Sequence, residues 1–186
     1  YIFMGFVPAL LIITFFLVAG LLLFINISGY LVREQLQQIV DQVGFVAQSA
    51  ADGILRARDA DRVRNVLEAR VATLSSRYAG ASIGIASSMK KCGQTSDALP
   101  ALDPLFAGPW RHAPPPRAVP AWISCDGYIG ITTYIDGGRE FATVRAAVWL
   151  SGTSQVVVVD VPVDGDIARA IRDRPGAALE GLSVSS

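Results

Sequence analysis

The sequence predicts an α+β chain in which an N-terminal transmembrane helix runs into a long juxtamembrane helix, and a second helix packs with it on an antiparallel sheet. Three observations carry this expectation. Residues 1–27 contain no Asp, Glu, Lys, Arg or His. Apolar residues then recur at helical spacing as far as Tyr78. After Gly80 the period shortens to two, and glycine-containing turns separate β-branched runs. The expected division is 1–27 for the membrane helix, 28–58 for the juxtamembrane helix and 59–186 for an α+β domain.

The chain is 52% hydrophobic and 17% charged, and its mean hydropathy of +0.42 is high for a globule. The excess sits in YIFMGFVPALLIITFFLVAGLLLFINI, longer than the ~20 apolar residues that a bilayer core requires. A signal peptide would show a basic start, a shorter apolar run and a small-residue cleavage site, and none is present. Gly5 and Pro8 are compatible with a membrane helix, where neighbouring groups satisfy the freed backbone. Residue 1 is Tyr, so residues preceding it, including a basic cytoplasmic tail, are expected. Arg33 is the one basic residue close to the apolar run on its C-terminal side. The positive-inside rule therefore weakly favours residues 28–186 being outside the cytoplasm.

Basic and acidic side chains balance at 16 each. Without a basic surplus to neutralise phosphates, nucleic acid is excluded as a partner class. The two cysteines, Cys92 and Cys125, both follow the anchor. Paired in an oxidising compartment they would stabilise the domain by about 4 kcal/mol in the chain-entropy model. Two unpaired buried thiols are the alternative reading.

In the juxtamembrane helix, Leu36, Ile39, Val43, Val46 and Ala50 follow spacings of three and four. This heptad-like stripe packs against the domain or against a second copy. RARDADR, residues 56–62, interrupts it, and Asp59 or Asp61 can cap a new helix. There Val63, Val66, Leu67, Val71, Leu74 and Tyr78 form the apolar face, opposite Arg62, Arg64, Glu68 and Arg77, and Gly80 can end the helix.

ASIGIA, residues 81–86, alternates as a strand does. Ser87–Pro120 reads as a long surface excursion containing Pro114, Pro115 and Pro116. Trp122–Ser124 and Tyr128–Ile135 resume strand character around an Asp126-Gly127 turn. Asp136-Gly137-Gly138 is a hairpin signal, joining Tyr128–Ile135 to Glu140–Leu150. A turn at Ser151–Ser154 leads into Gln155–Val161, rich in valine. The expectation is a three-strand antiparallel meander, followed by a helix over Asp164–Asp173 and an undecided end, LEGLSVSS.

The succession of anchor, two helices, strand, long loop and meander, closing on QVVVVDVPVDGDIARAI, resembles the extracytoplasmic sensor region of bacterial transmembrane receptors. Such PAS-like or Cache-like domains occur in sensor histidine kinases and in receptors with cyclase or serine phosphatase outputs. The resemblance implies a PAS-like sheet, an input function, a location at the bacterial inner membrane with residues 28–186 extracytoplasmic, a homodimer formed through the juxtamembrane helix, and a second membrane helix and output domain beyond Ser186. The competing expectation is a single-anchor structural component of a pilus or secretion assembly.

No catalytic residue, cofactor site or metal site is assigned. His112 is the sole histidine and the cysteines lack CxxC spacing, which leaves zinc without ligands. No GxSxG signature places a serine on a strained elbow, and neither GxGxxG nor GxxxxGK[ST] occurs. Asp160, Asp164 and Asp166 cluster, but Asp164 reads as a helix cap and Asp166 as a first-turn acid, and the EF-hand order of ligands is absent. A small-molecule ligand would meet Trp122, Tyr128, Tyr134, Arg145 and Trp149, which come from the predicted strands, with Arg145 holding a carboxylate by a bidentate contact. The opposing reading, favoured on general grounds, makes the aromatics core and puts Arg145 on the wet face.

Overall fold

The structure, a computed structural model, describes residues 3–57, 59–93, 103–111, 114–120 and 123–163. The elements are α1 (Phe3–Arg56), α2 (Ala60–Ser75), β1 (Ser82–Cys92), β2 (Phe106–Ala107), β3 (Tyr128–Asp136), β4 (Arg139–Trp149) and β5 (Thr153–Val163). The chain divides into two compact units, Tyr1–Gln37 and Gln38–Ser186.

The first unit is the N-terminal part of α1. Between residues 11 and 25 every side chain except that of Ala19 is exposed, among them Phe15, Phe16, Leu22 and Phe24. Among the described residues, no helix is long and apolar enough to cross a membrane.

The second unit is α+β, as the sequence predicts. Its part of α1 buries Ile39, Val43, Val46, Ala47, Ala50, Ala51 and Ile54. Four of the five residues of the heptad-like stripe, Ile39, Val43, Val46 and Ala50, are among these, so that part of the stripe packs within this fold. The helix approaches the sheet closely: a Cβ on Gly44 would stand 2.6 Å from Ile129 Cδ1. Asp59 starts α2, accepting a hydrogen bond from Arg62 N at 2.8 Å, which satisfies one of the open N–H groups of the first turn. Val63, Leu67 and Leu74 are buried. The helix stops at Ser75, before the predicted stripe ends, and turns carry the chain to Gly80 at φ 86°. Tyr78 remains tied to the helices, its hydroxyl donating to Gln42 Oε1 at 3.0 Å.

The sheet is antiparallel with order β2-β1-β5-β4-β3. The predicted meander is its β3-β4-β5 half. At the first hairpin Gly137 and Gly138 both take positive φ, 55° and 78°, the conformation a two-residue turn needs to match strand twist. On one face Ile83, Ile85, Val144, Ala146, Val157, Val159 and Val161 are buried. Ile129 lies in the same cross-strand row as Ala146 and Val159, which makes this the face that α1 covers. Each such side chain contributes about 1.5–3 kcal/mol relative to exposure.

Two strand assignments are corrected. The segment from Ser87 to Pro120 is more than a surface excursion, because β1 runs on to Cys92, residues 106 and 107 pair with β1 as β2, and Ala118 bridges to Ser87. Between Ser87 and Cys92 the register of β1 with β5 shifts, and there Met89, Lys90 and Lys91 are exposed, so no apolar alternation marks this part of the strand. Trp122–Ser124 yields no strand among its described residues: Ile123 is buried and Ser124 makes only an isolated bridge to Gly127. The predicted helix at Asp164–Asp173, the terminal LEGLSVSS, His112 and Trp122 lie outside the described residues.

Candidate functional site

The second face of the sheet carries both an apolar cluster and a polar row. The cluster is formed by Ala86, Cys92, Ile123, Ala147, Trp149, Val156 and Val158, with Trp110, Val119 and Tyr128 packed against it. Trp110, Val119 and Ile123 pack in or against it, and nearby Ile85 N donates to Leu105 O at 2.8 Å and Val119 N to Ser87 O at 2.9 Å. Trp149 Nε1 donates to Ser124 O at 2.7 Å, and Cys92 is disulfide-bonded to Cys125. The pairing left open in the sequence is thereby formed.

Beside the cluster, register sets Ser82 opposite Asp160, Asp160 opposite Arg145, and Arg145 opposite Gly130. Arg145 Nε donates to Asp160 Oδ1 at 2.7 Å and Nη2 to Oδ2 at 2.6 Å, the two parallel bonds of a fork-to-fork pair. Asp160 is 6% exposed at its side chain and Arg145 24%. Burial disfavours the charged guanidinium, but the hydrogen bonds and the negative charge of Asp160 outweigh it, and the Arg145 pKa is raised. The bidentate contact expected of Arg145 therefore exists, with a carboxylate of the chain itself as its partner. Neither a vacant ligand site nor a wet face describes this residue.

Tyr128 sits across the neighbouring row, opposite Ala147, and its ring leans over Gly130, where a Cβ would meet Tyr128 Oη at 2.6 Å. Its hydroxyl donates to Ile131 O at 3.4 Å. Burial raises the Tyr128 pKa, opposed in part by the positive charge of Arg145. Trp149 is 8% exposed and belongs to the cluster, so its role is to hold the 123–125 segment down. The structure thus brings Tyr128 and Arg145 together and assigns Trp149 to the core. Tyr134 follows in β3.

Three further participants lie outside the ligand residues expected from sequence. Asp160 was read only as part of an acidic cluster, although a single acid inside VVVVDV is the signal of a buried partner. Ser82 Oγ accepts from Trp110 N at 2.9 Å. Trp110 has φ 44°, packs edge-to-face on Phe106 at 5.8 Å, and holds a buried Nε1 with no hydrogen-bond partner among the described residues.

A separate groove of about 310 Å³ lies on the helices, lined by Phe45, Ser49, Gly53, Arg56 and Arg70 among others. None of the expected ligand residues reaches it. Among the described residues no group of three His, Cys, Asp or Glu side chains is placed to hold a metal ion. Chemically, the sheet site offers donors and aromatic walls beside a neutralised charge pair. No family model and no curated protein matches the chain.

Proposed function

We propose that this chain is the extracytoplasmic input module of a bacterial membrane-bound signalling receptor. The observation that carries the reading is the five-stranded antiparallel sheet of order β2-β1-β5-β4-β3, which is consistent with the PAS-like sheet that the resemblance implies, in a chain whose N-terminal helical residues are apolar. A helix that is apolar on all sides belongs in a large core or a bilayer, and the exposed side chains of residues 11–25 support a span over residues 1–27. The Cys92–Cys125 disulfide supports an oxidising compartment for residues 28–186, outside the bacterial inner membrane.

In this reading the signal, a small-molecule ligand or the state of the membrane, acts on the sheet domain. It favours one of two arrangements of the domain, and α1 passes the difference to the membrane segment and on to an output domain of the receptor, a kinase, cyclase or phosphatase. The receptor is a homodimer. Because Val43 and Ala50 are fully buried in the fold while Phe45 is 73% exposed, the partner meets the outward line of α1 that contains Phe45.

Cysteine scanning of α1 in membranes tests this, since both native cysteines are already bonded to each other. Phe45→Cys should give disulfide-linked dimers and Val43→Cys should give none. Equal absence of dimers at Gln38, Asp41, Phe45, Gln48 and Asp52 would remove the dimeric receptor from consideration.

A further inference from the structure

The two halves of the disulfide lie in different surroundings. Cys92 is 3% exposed and sits within the apolar cluster beside Ile123, Ala147 and Trp149. Cys125 is exposed, in the turn where Gly127 N donates to Ser124 O. Thiol–disulfide exchange requires a thiolate to reach one sulfur in line with the other, so access decides which sulfur is attacked.

We infer that Cys125 is a thiol-reactive site, and that exchange there with a thiol or dithiol releases the segment that covers the sheet face. The thiolate of the incoming reagent bonds to Cys125 Sγ, the S–S bond breaks, and Cys92 leaves as a thiolate that takes up a proton. A second thiol then attacks the mixed disulfide, leaving Cys125 as a thiol and the reagent as its own disulfide. Two electrons pass from the reagent to the protein, and two protons accompany them.

The structural consequence follows from what else holds residues 123–125. Ile123 packs in the cluster, and Ser124 O accepts the Trp149 indole N–H. With the covalent link gone, among the described residues these two contacts are what join 123–125 to the Trp149 cluster. Cys92 O still accepts from Gly152 N at 2.9 Å, so the β1 end stays paired while the opposite end is free to lift. Trp149 and the apolar cluster become accessible without unfolding the β1-β5-β4 centre. Exchange chemistry of this kind requires only the disulfide and stands apart from the receptor reading.

The test uses the full chain in detergent under native conditions, with excess glutathione as monothiol, acid quenching and peptide mapping. The mixed disulfide should map to Cys125 with a free thiol at Cys92, and it should form about tenfold or more faster than the chain unfolds globally. A dithiol should then accelerate amide exchange at residues 123–125 while Val157–Val159 remain protected. The Cys92→Ser, Cys125→Ser double variant should show the same exchange pattern without any thiol. An adduct on Cys92, reduction no faster than global unfolding, or deprotection spread evenly across β5 would overturn the inference.

Discussion

Arg145 on β4 and Asp160 on β5 face each other in register and are joined by two hydrogen bonds of 2.7 and 2.6 Å. The pair bridges β4 and β5 on the sheet face that also carries the Trp149 cluster. Removing one partner leaves a charge in a largely desolvated place. Asp160→Asn is expected to lower the unfolding free energy by about 2–4 kcal/mol, below the fully buried case because Arg145 retains 24% exposure. Replacing both, as Arg145→Met with Asp160→Leu, should recover much of that loss. Denaturant titration of the full chain in detergent measures all three, and a double variant no better than the single one would contradict the assignment.

Tyr128 makes stability sensitive to alkali. Its pKa in the folded chain is raised, chiefly by burial, so above pH about 10 the unfolded chain loses this proton while the folded chain keeps it. The unfolded state then binds fewer protons and stability falls as pH rises. Tyr128→Phe should flatten the decline, seen as a shallower slope of unfolding free energy against pH between about 10 and 11. An unchanged slope would show that Tyr128 is not the group responsible.

Two glycines should respond oppositely to the same substitution. A Cβ at Gly84 would lie 3.0 Å from the backbone oxygen of Leu105 and against the Phe106 ring, so Gly84→Ala should destabilise by about 1–3 kcal/mol. At Gly44 the obstacle is the Cδ1 end of Ile129, which is 49% exposed and can rotate away. The helix gains up to about 1 kcal/mol from Gly44→Ala, giving an outcome from neutral to stabilising. Paired thermal melts of the two variants decide it.

Asp59 holds the first turn of α2 through Arg62 N, at 2.8 Å. Asp59→Ala should cost about 1 kcal/mol, and Asp59→Ser much less, because the serine hydroxyl can accept the same N–H. Chemical denaturation separates the two; equal losses would mean that the charge near Arg62 matters and the cap does not.

Much of this fold can be read from residue pattern. The stripe Ile39, Val43, Val46, Ala50 names the buried side of α1, the Asp59 cap starts α2, and Gly137-Gly138 sets the hairpin. Even the central ion pair was within reach: Arg145 and Asp160 are equidistant from the midpoint of the Ser151–Ser154 turn, so antiparallel pairing about that turn places them opposite each other. The other half of the sheet was hidden for a physical reason. β1 pairs with β5 across about seventy residues, a contact fixed by tertiary packing that no local period reports. The two-residue β2 carries no alternation to recognise, and the strained backbone of Trp110 arises from its seat against Ser82 and Phe106, which only the folded chain brings together.

The proposed receptor role requires that the N-terminal helix hold the sheet domain outside the cytoplasm. Fusing alkaline phosphatase, which becomes active only after export, behind Val163 of the chain and extracting the host membranes with carbonate tests it most directly. An active fusion that stays in the membrane pellet is the predicted result. An inactive fusion, or one released with the soluble proteins, would contradict it.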